Sequence, residues 1–172
     1  MSESHSDDVE LLASLLQGTN STVAIAESLT GGSLSARLAA GPDSSDWYRG
    51  AIVSYSSSVK HELLDVPDVP VVSEVAAVTM AESVCKLLGS DFSIAVTGAG
   101  GPDPQDGQEP GTVWMALHNH HTGITRSRLH HFPGEPDEVV KHTCSAATAW
   151  LVAAAMDHSE RSGSETSEQS AE

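Results

Sequence analysis

Residues 23–33, VAIAESLTGGS, admit few folds. A short apolar run containing β-branched residues meets polar residues and two adjacent glycines, and Leu34, Leu38 and Ala39 follow at helical spacing. That order predicts a strand, a tight turn and a helix. Ser28 then stands at the carboxyl end of a buried strand. Open α/β sheets place their ligands at this edge, because the next helix presents unpaired N–H groups and the positive end of its dipole there. Ser28 or Thr30 could equally serve only as a helix cap, so the neighbouring elements decide.

A second strand is predicted over residues 50–55, with a helix beginning at Ser56 and carrying Lys60, Leu63 and Leu64. One helix separates the two strands, which makes a βαβ unit with parallel strands and both carboxyl ends on one edge. Tyr55 and Lys60 therefore share a rim with Ser28. Residues 75–88 form an apolar-striped helix after Ser73-Glu74, closed by Gly89, and residues 92–96 form a third strand that runs into Thr97-Gly98-Ala99-Gly100-Gly101-Pro102. Glycines in such a turn let the backbone approach a ligand closely and leave N–H groups free for an anion. Residues 103–110 contain turn formers without an apolar anchor and read as a lid.

Residues 111–117 and 123–132 read as two strands joined through Asn119-His120-His121-Thr122, a hairpin that makes the sheet mixed. A first helix carries Val9, Leu11, Leu12, Leu15 and Leu16 after an acidic turn at Asp7 and Asp8, and ends at Gly18. A last helix spans residues 135–156. The fold class expected is α/β, a three-layer α/β/α sandwich with a mixed, mostly parallel sheet of about five strands. One domain covers residues 1–158, and the Ser- and Glu-rich residues 159–172 read as an acidic disordered tail.

With 172 residues the chain suffices for one domain with a sizeable core. Its net charge of -16, with eight Lys and Arg in all, argues against nucleic-acid and anionic-membrane partners. An anionic substrate would have to be met locally by helix ends and a few bases. Cys85 and Cys144 lie outside any CxxC or zinc spacing and read as free thiols in a reducing compartment. Without a basic and apolar leader or a membrane-length apolar run, the expected location is cytoplasmic.

Three elements thus bring Ser28, Tyr55 with Lys60, and the 97–101 turn to one rim. A serine hydroxyl becomes a nucleophile when a base takes its proton, and a lysine serves once desolvation depresses its pKa. The segments Glu27-Ser28-x-Thr30-Gly31-Gly32, Arg49-Gly50-Ala51-Ile52-Val53-Ser54-Tyr55-Ser56 with Lys60, Val72-Ser73-Glu74, Val96-Thr97-Gly98-Ala99-Gly100-Gly101-Pro102 and Pro110-Gly111-Thr112-Val113-Trp114 together resemble the CinA carboxy-terminal domain family, in order and over nearly the whole chain. The resemblance implies a stand-alone nicotinamide-nucleotide amidase that converts nicotinamide mononucleotide to nicotinate mononucleotide and ammonia. It also implies that the protein works as a homo-oligomer and needs no cofactor.

By the same resemblance Ser28 is the nucleophile, Lys60 its general base and Tyr55 the assisting hydroxyl. Substrate contacts are expected from Thr30, Gly31 and Gly32 and from Thr97, Gly98, Gly100 and Gly101, with the division between oxyanion and phosphate open. Arg49 is either a charge near the substrate or a strand-start salt bridge. Leu29 stands where many relatives have Cys, Ser57-Ser58 where Asn-Glu is commoner, and Gly134-Glu135-Pro136 replaces a Gly-acid-Arg pattern. The alternative is a catalytically idle nucleotide-binding or interaction module of the same competence/damage-inducible family. Among His118, His120, His121, His130 and His131, the adjacent pair at the hairpin tip faces opposite sides, so these read as solvent histidines and the chemistry implies no metal.

Overall fold

The computed structural model describes the backbone of residues 3–169 and the side chains of residues 7–164. Five strands, β1 Val23–Glu27, β2 Tyr48–Val53, β3 Phe92–Gly98, β4 Thr112–Asn119 and β5 Ile124–His131, form one sheet in the order β2-β1-β3-β4-β5. β1 pairs in parallel with β2 and β3, whereas β4 pairs antiparallel with β3 and β5. Four of the five strands therefore point the same way and β4 alone is reversed. The helices are α1 Glu3–Gly18, α2 Ser33–Ala39, α3 Ser44–Trp47, α4 Ser57–Leu63, α5 Glu74–Leu88 and α6 Pro136–Gln169. The result is a three-layer α/β/α sandwich with a mixed, mostly parallel sheet, as the sequence pattern predicts.

Successive strand residues face opposite sides, and here the two faces differ in character. One face presents Val23, Ile25, Ile94, Val96, Val113 and Met115 to Leu12 and Leu16 of α1, Leu34 and Leu38 of α2, and Trp150 and Leu151 of α6. Fully burying side chains of this size contributes about 1.5–3 kcal/mol each, so this layer holds most of the core energy. The opposite face is Ala24, Ala26, Ala95 and Ala116, packed against Ala76, Ala77, Met80, Ala81 and Val84 of α5. Small side chains on both partners seat α5 close to the sheet. Ser73 caps α5 by accepting the Ala76 N–H at 3.2 Å, and Gly89 ends it in the left-handed region at φ 62°.

Several boundaries differ from the sequence expectation for local reasons. β2 begins at Tyr48 and ends at Val53, so Tyr55 lies beyond the strand rather than at its last position. The one-turn helix α3 appears where Gly41-Pro42-Asp43 suggested only a break. Its Trp47 is buried in the first layer, and the indole N–H donates to the Pro42 carbonyl at 2.9 Å. Helical backbone continues to Gln169, past the residues 135–156 marked by apolar spacing, because the following Ser- and Glu-rich stretch has no proline to stop it. Residues 170–172 of the expected tail lie outside the described residues. No helix among the described residues is long and apolar enough to cross a membrane.

Candidate active site at the carboxyl rim of the sheet

Ser28 follows the last residue of β1, one strand in from the sheet edge, and is 7% exposed. Its backbone N–H donates to the Val96 carbonyl at 3.1 Å, which continues the β1–β3 ladder into the turn. Glu27, just before it, is fully buried on the α2 side. One carboxylate oxygen accepts the N–H groups of Gly32 at 3.0 Å and Leu34 at 3.2 Å, and the other accepts that of Ser35 at 2.8 Å. This carboxylate occupies the amino end of α2, where an external anion would otherwise sit. The Gly31 N–H donates to the Ser28 carbonyl at 3.1 Å. The N–H groups of Gly31 and Gly32 are therefore spent within the turn, whose left-handed φ values of 55° and 100° explain why glycines stand there. Thr30 is different: it is 2% exposed and its hydroxyl has no hydrogen-bond partner.

Lys60 is 1% exposed, against the usual solvated helix lysine. Its Nζ donates to the Ser54 carbonyl at 2.6 Å and to the Tyr55 carbonyl at 3.4 Å. Ser54 in turn donates its backbone N–H at 2.7 Å and its hydroxyl at 3.2 Å to the carbonyl of Glu27. The amine is thus tied, through Ser54 just past the neighbouring strand, to the residue that precedes Ser28. Burial pushes the Lys60 amine below the usual lysine range, and the nearby Asp106 carboxylate opposes that shift. Tyr55 is 74% exposed, so only its backbone carbonyl joins this cluster.

The third contribution comes from the residues after β3. The Thr97 hydroxyl donates to the Val71 carbonyl at 2.7 Å, and Gly98 lies so close to β4 that a Cβ would come within 2.6 Å of the Thr112 carbonyl oxygen. Both serve packing. Gly100 adjoins Leu29, next to Ser28, and Gly101, at φ 88°, faces Pro110 and Pro136. The segment read as a lid is a miniature hairpin: Gln105 and Gln108 exchange backbone hydrogen bonds of 3.1 and 2.8 Å across Asp106 and Gly107, both left-handed. An Asp-Gly pair of this kind builds a type I′ turn. The Asp106 carboxylate accepts the Val72 N–H at 3.1 Å, which pins the hairpin over the approach to Lys60.

Arg49 is exposed near the amino end of β2, away from the rim that carries Ser28. Three other arginines, Arg126, Arg128 and Arg161, line a cavity of about 150 Å³ between β5 and α6, where the Arg128 guanidinium stacks 4.2 Å from the Trp150 ring. No candidate site residue lines that cavity. Sequence reasoning passed over two groups that shape the rim. Glu27 was readable as an acid placed just before a glycine turn and a helix start, and Asp106 as the first half of a hairpin dipeptide.

The overall fold recurs in solved structures. The competence or damage-inducible protein from Enterobacter asburiae superposes with a TM-score of 0.84 at 32% identity, covering 88% of this chain and 98% of that one. A competence-damaged protein (CinA) superfamily protein from Escherichia coli gives 0.82 at 31% identity over 86% and 88%. A CinA-like protein of Geotalea uraniireducens is 39% identical over 147 residues, 82% of this chain but 34% of that protein. The chain thus spans about a third of the length of the curated relatives it matches. The model of the CinA C-terminal domain matches residues 6–155. With the fold, the order of motifs and this match in agreement, the chain belongs to the CinA C-terminal domain family.

Proposed function

We propose that this chain is a nicotinamide-nucleotide amidase acting through Ser28 and Lys60. The observation that carries the reading is the buried, partly desolvated Lys60 amine, held by Ser54 beside the strand end that bears Ser28. Depression of its pKa raises the fraction of neutral amine able to accept the Ser28 proton. The serine oxygen then bonds to the carboxamide carbon of nicotinamide mononucleotide, and the electron pair moves onto the amide oxygen. Collapse breaks the C–N bond, and the proton held by Lys60 leaves with ammonia. Water hydrolyses the resulting ester to nicotinate mononucleotide. The unpartnered Thr30 hydroxyl is a donor for the developing oxyanion. Tyr55 reaches the reacting atoms only if its exposed side chain swings inward over bound substrate, and we assign it that assisting role.

With Gly31 and Gly32 committed internally, phosphate recognition falls to Gly100 and Gly101 and the turn they form. Pro136 lies beside Gly101 where the family pattern has arginine, which predicts a weaker hold on the phosphate. Arg49, exposed near the start of β2 and away from the strand end that bears Ser28, is left out of the substrate site. The test is ammonia release from nicotinamide mononucleotide, its riboside and free nicotinamide by wild type, Ser28→Ala and Lys60→Met. Release by wild type alone, with an acyl adduct on Ser28 seen by mass spectrometry in rapid quench, supports the amidase. Nucleotide binding without release would make the domain a binding module, and an active Ser28→Ala would remove Ser28 as nucleophile.

A further inference from the structure

At the sheet edge opposite Ser28, Cys85 from the last turn of α5 meets two histidines from β4 and the turn after it. β4 is reversed, so its carboxyl end pairs with the start of β3: Asn119 stands opposite Phe92 and His118 opposite Ser93. His118 and His120 are two residues apart and share a face, and that face is the one α5 covers. One ligand atom from each of Cys85, His118 and His120 lies within 4.8 Å of the other two. Cys85 is 3% exposed, His118 half-buried and His120 exposed, so the group is closed at the back and open to water at the front. We propose that Cys85, His118 and His120 form a site for a borderline-soft divalent metal ion, with zinc as the fitting ion and water as its fourth ligand.

The surroundings of the three residues argue for a built site rather than a chance grouping. His118 Nδ1 lies 2.9 Å from the Thr125 hydroxyl, and that hydroxyl donates to the Glu82 carboxylate at 2.6 Å. A carboxylate only accepts, so the Thr125 proton points to Glu82 and its oxygen accepts from Nδ1–H. The neutral ring then carries its lone pair on Nε2, the tautomer that hydrogen bonding through Thr125 to Glu82 leaves ready for a metal. On the other side, Ser90 is 4% exposed and its hydroxyl has no hydrogen-bond partner, while burial raises the Cys85 thiol above its ordinary range. The Cys85 thiol now donates to the Ser90 carbonyl at 3.0 Å. Metal binding breaks the S–H bond, forms a sulfur–metal bond and releases the proton to solvent without electron transfer. The orphaned Ser90 hydroxyl gains the thiolate as acceptor.

One thiolate with two imidazoles suits zinc, and ligand atoms of a tetrahedral site sit about 3.5 Å apart, so modest side-chain closure completes it. The His120 N–H donates to the Asp91 carbonyl at 2.8 Å, which fixes the backbone that carries the exposed ligand.

The test is titration of the metal-free chain with cobalt(II) and then zinc(II). One equivalent of cobalt is expected to give a thiolate charge-transfer band and the intense red d–d bands of tetrahedral coordination, both erased by zinc. Cys85→Ser should abolish the charge-transfer band, and His120→Asn, at an exposed position that spares the fold, should weaken zinc binding at least about tenfold. Thr125→Val should weaken it about 10–100-fold through loss of the orienting hydrogen bond. His121→Asn and His130→Asn should leave it unchanged. Absence of a one-equivalent cobalt complex, or zinc affinity unaltered by both Cys85→Ser and His120→Asn, would overturn the proposal.

Discussion

Replacing Glu27 with Gln separates capping from chemistry at the residue next to the proposed nucleophile. The buried carboxylate accepts three backbone N–H groups through its two oxygens. Gln keeps one oxygen and turns an NH2 group toward donors, so one or two of these bonds are lost and buried N–H groups are left unpaired. Hydrogen bonds to a charged group contribute about 1.5–3 kcal/mol each. The lost charge at the amino end of α2 adds about 0.3–1 kcal/mol. The expected destabilisation is about 3–5 kcal/mol, which lowers Tm by roughly 10 °C in a chain of this size. Urea unfolding followed by circular dichroism checks the value, with an unchanged m marking a true stability effect. Below its own melting range Glu27→Gln should still release ammonia. A loss below about 1 kcal/mol together with abolished turnover would refute the capping account and make Glu27 a participant in the reaction.

Lys60→Met should abolish ammonia release and change the pH dependence of stability. A lysine whose folded pKa lies below its unfolded value binds fewer protons folded than unfolded between the two, so the stability of wild type relative to Lys60→Met should rise with pH through that window up to the usual lysine value of 10.5. Denaturation midpoints from neutral to alkaline pH measure this. Asp106 raises the Lys60 pKa, so Asp106→Asn, which keeps an acceptor for the Val72 N–H, should move the acidic limb of the rate profile to lower pH. Gly111→Ala should cost more than about 3 kcal/mol, because its Cβ would lie 2.1 Å from the Phe132 carbonyl oxygen at φ 88°. Gly123→Ala, at φ 67° with open space, should cost only about 1–2 kcal/mol, and thermal melts of the two separate crowding from backbone strain.

The strand, glycine turn and helix around Ser28 were legible because their determinants are contiguous: an apolar run, a pair of glycines and helical spacing. The βαβ argument also carried Lys60 to the right end of the sheet, since topology alone sets that position. What the sequence did not reveal are partners distant along the chain. Asp106 meets the Val72 N–H, Lys60 meets the Ser54 carbonyl, and Glu27 accepts hydrogen bonds from N–H groups that the glycine turn seemed free to offer. Composition cannot tell a spent N–H from an open one. Likewise His120 was weighed with its neighbour His121, although the period of two along a strand pairs it with His118, and the cysteine facing both is 33 residues before His118 and on a different element.

The single strand that runs against the others gives the molecule two chemically distinct poles. α5 joins them as a rod of 15 residues, about 22 Å long at 1.5 Å per residue. Its upper end follows Val72, latched by Asp106, and its lower end holds Cys85. Small side chains on the sheet face let this rod lie close against the strands along its length, so one helix spans the distance between the two ends.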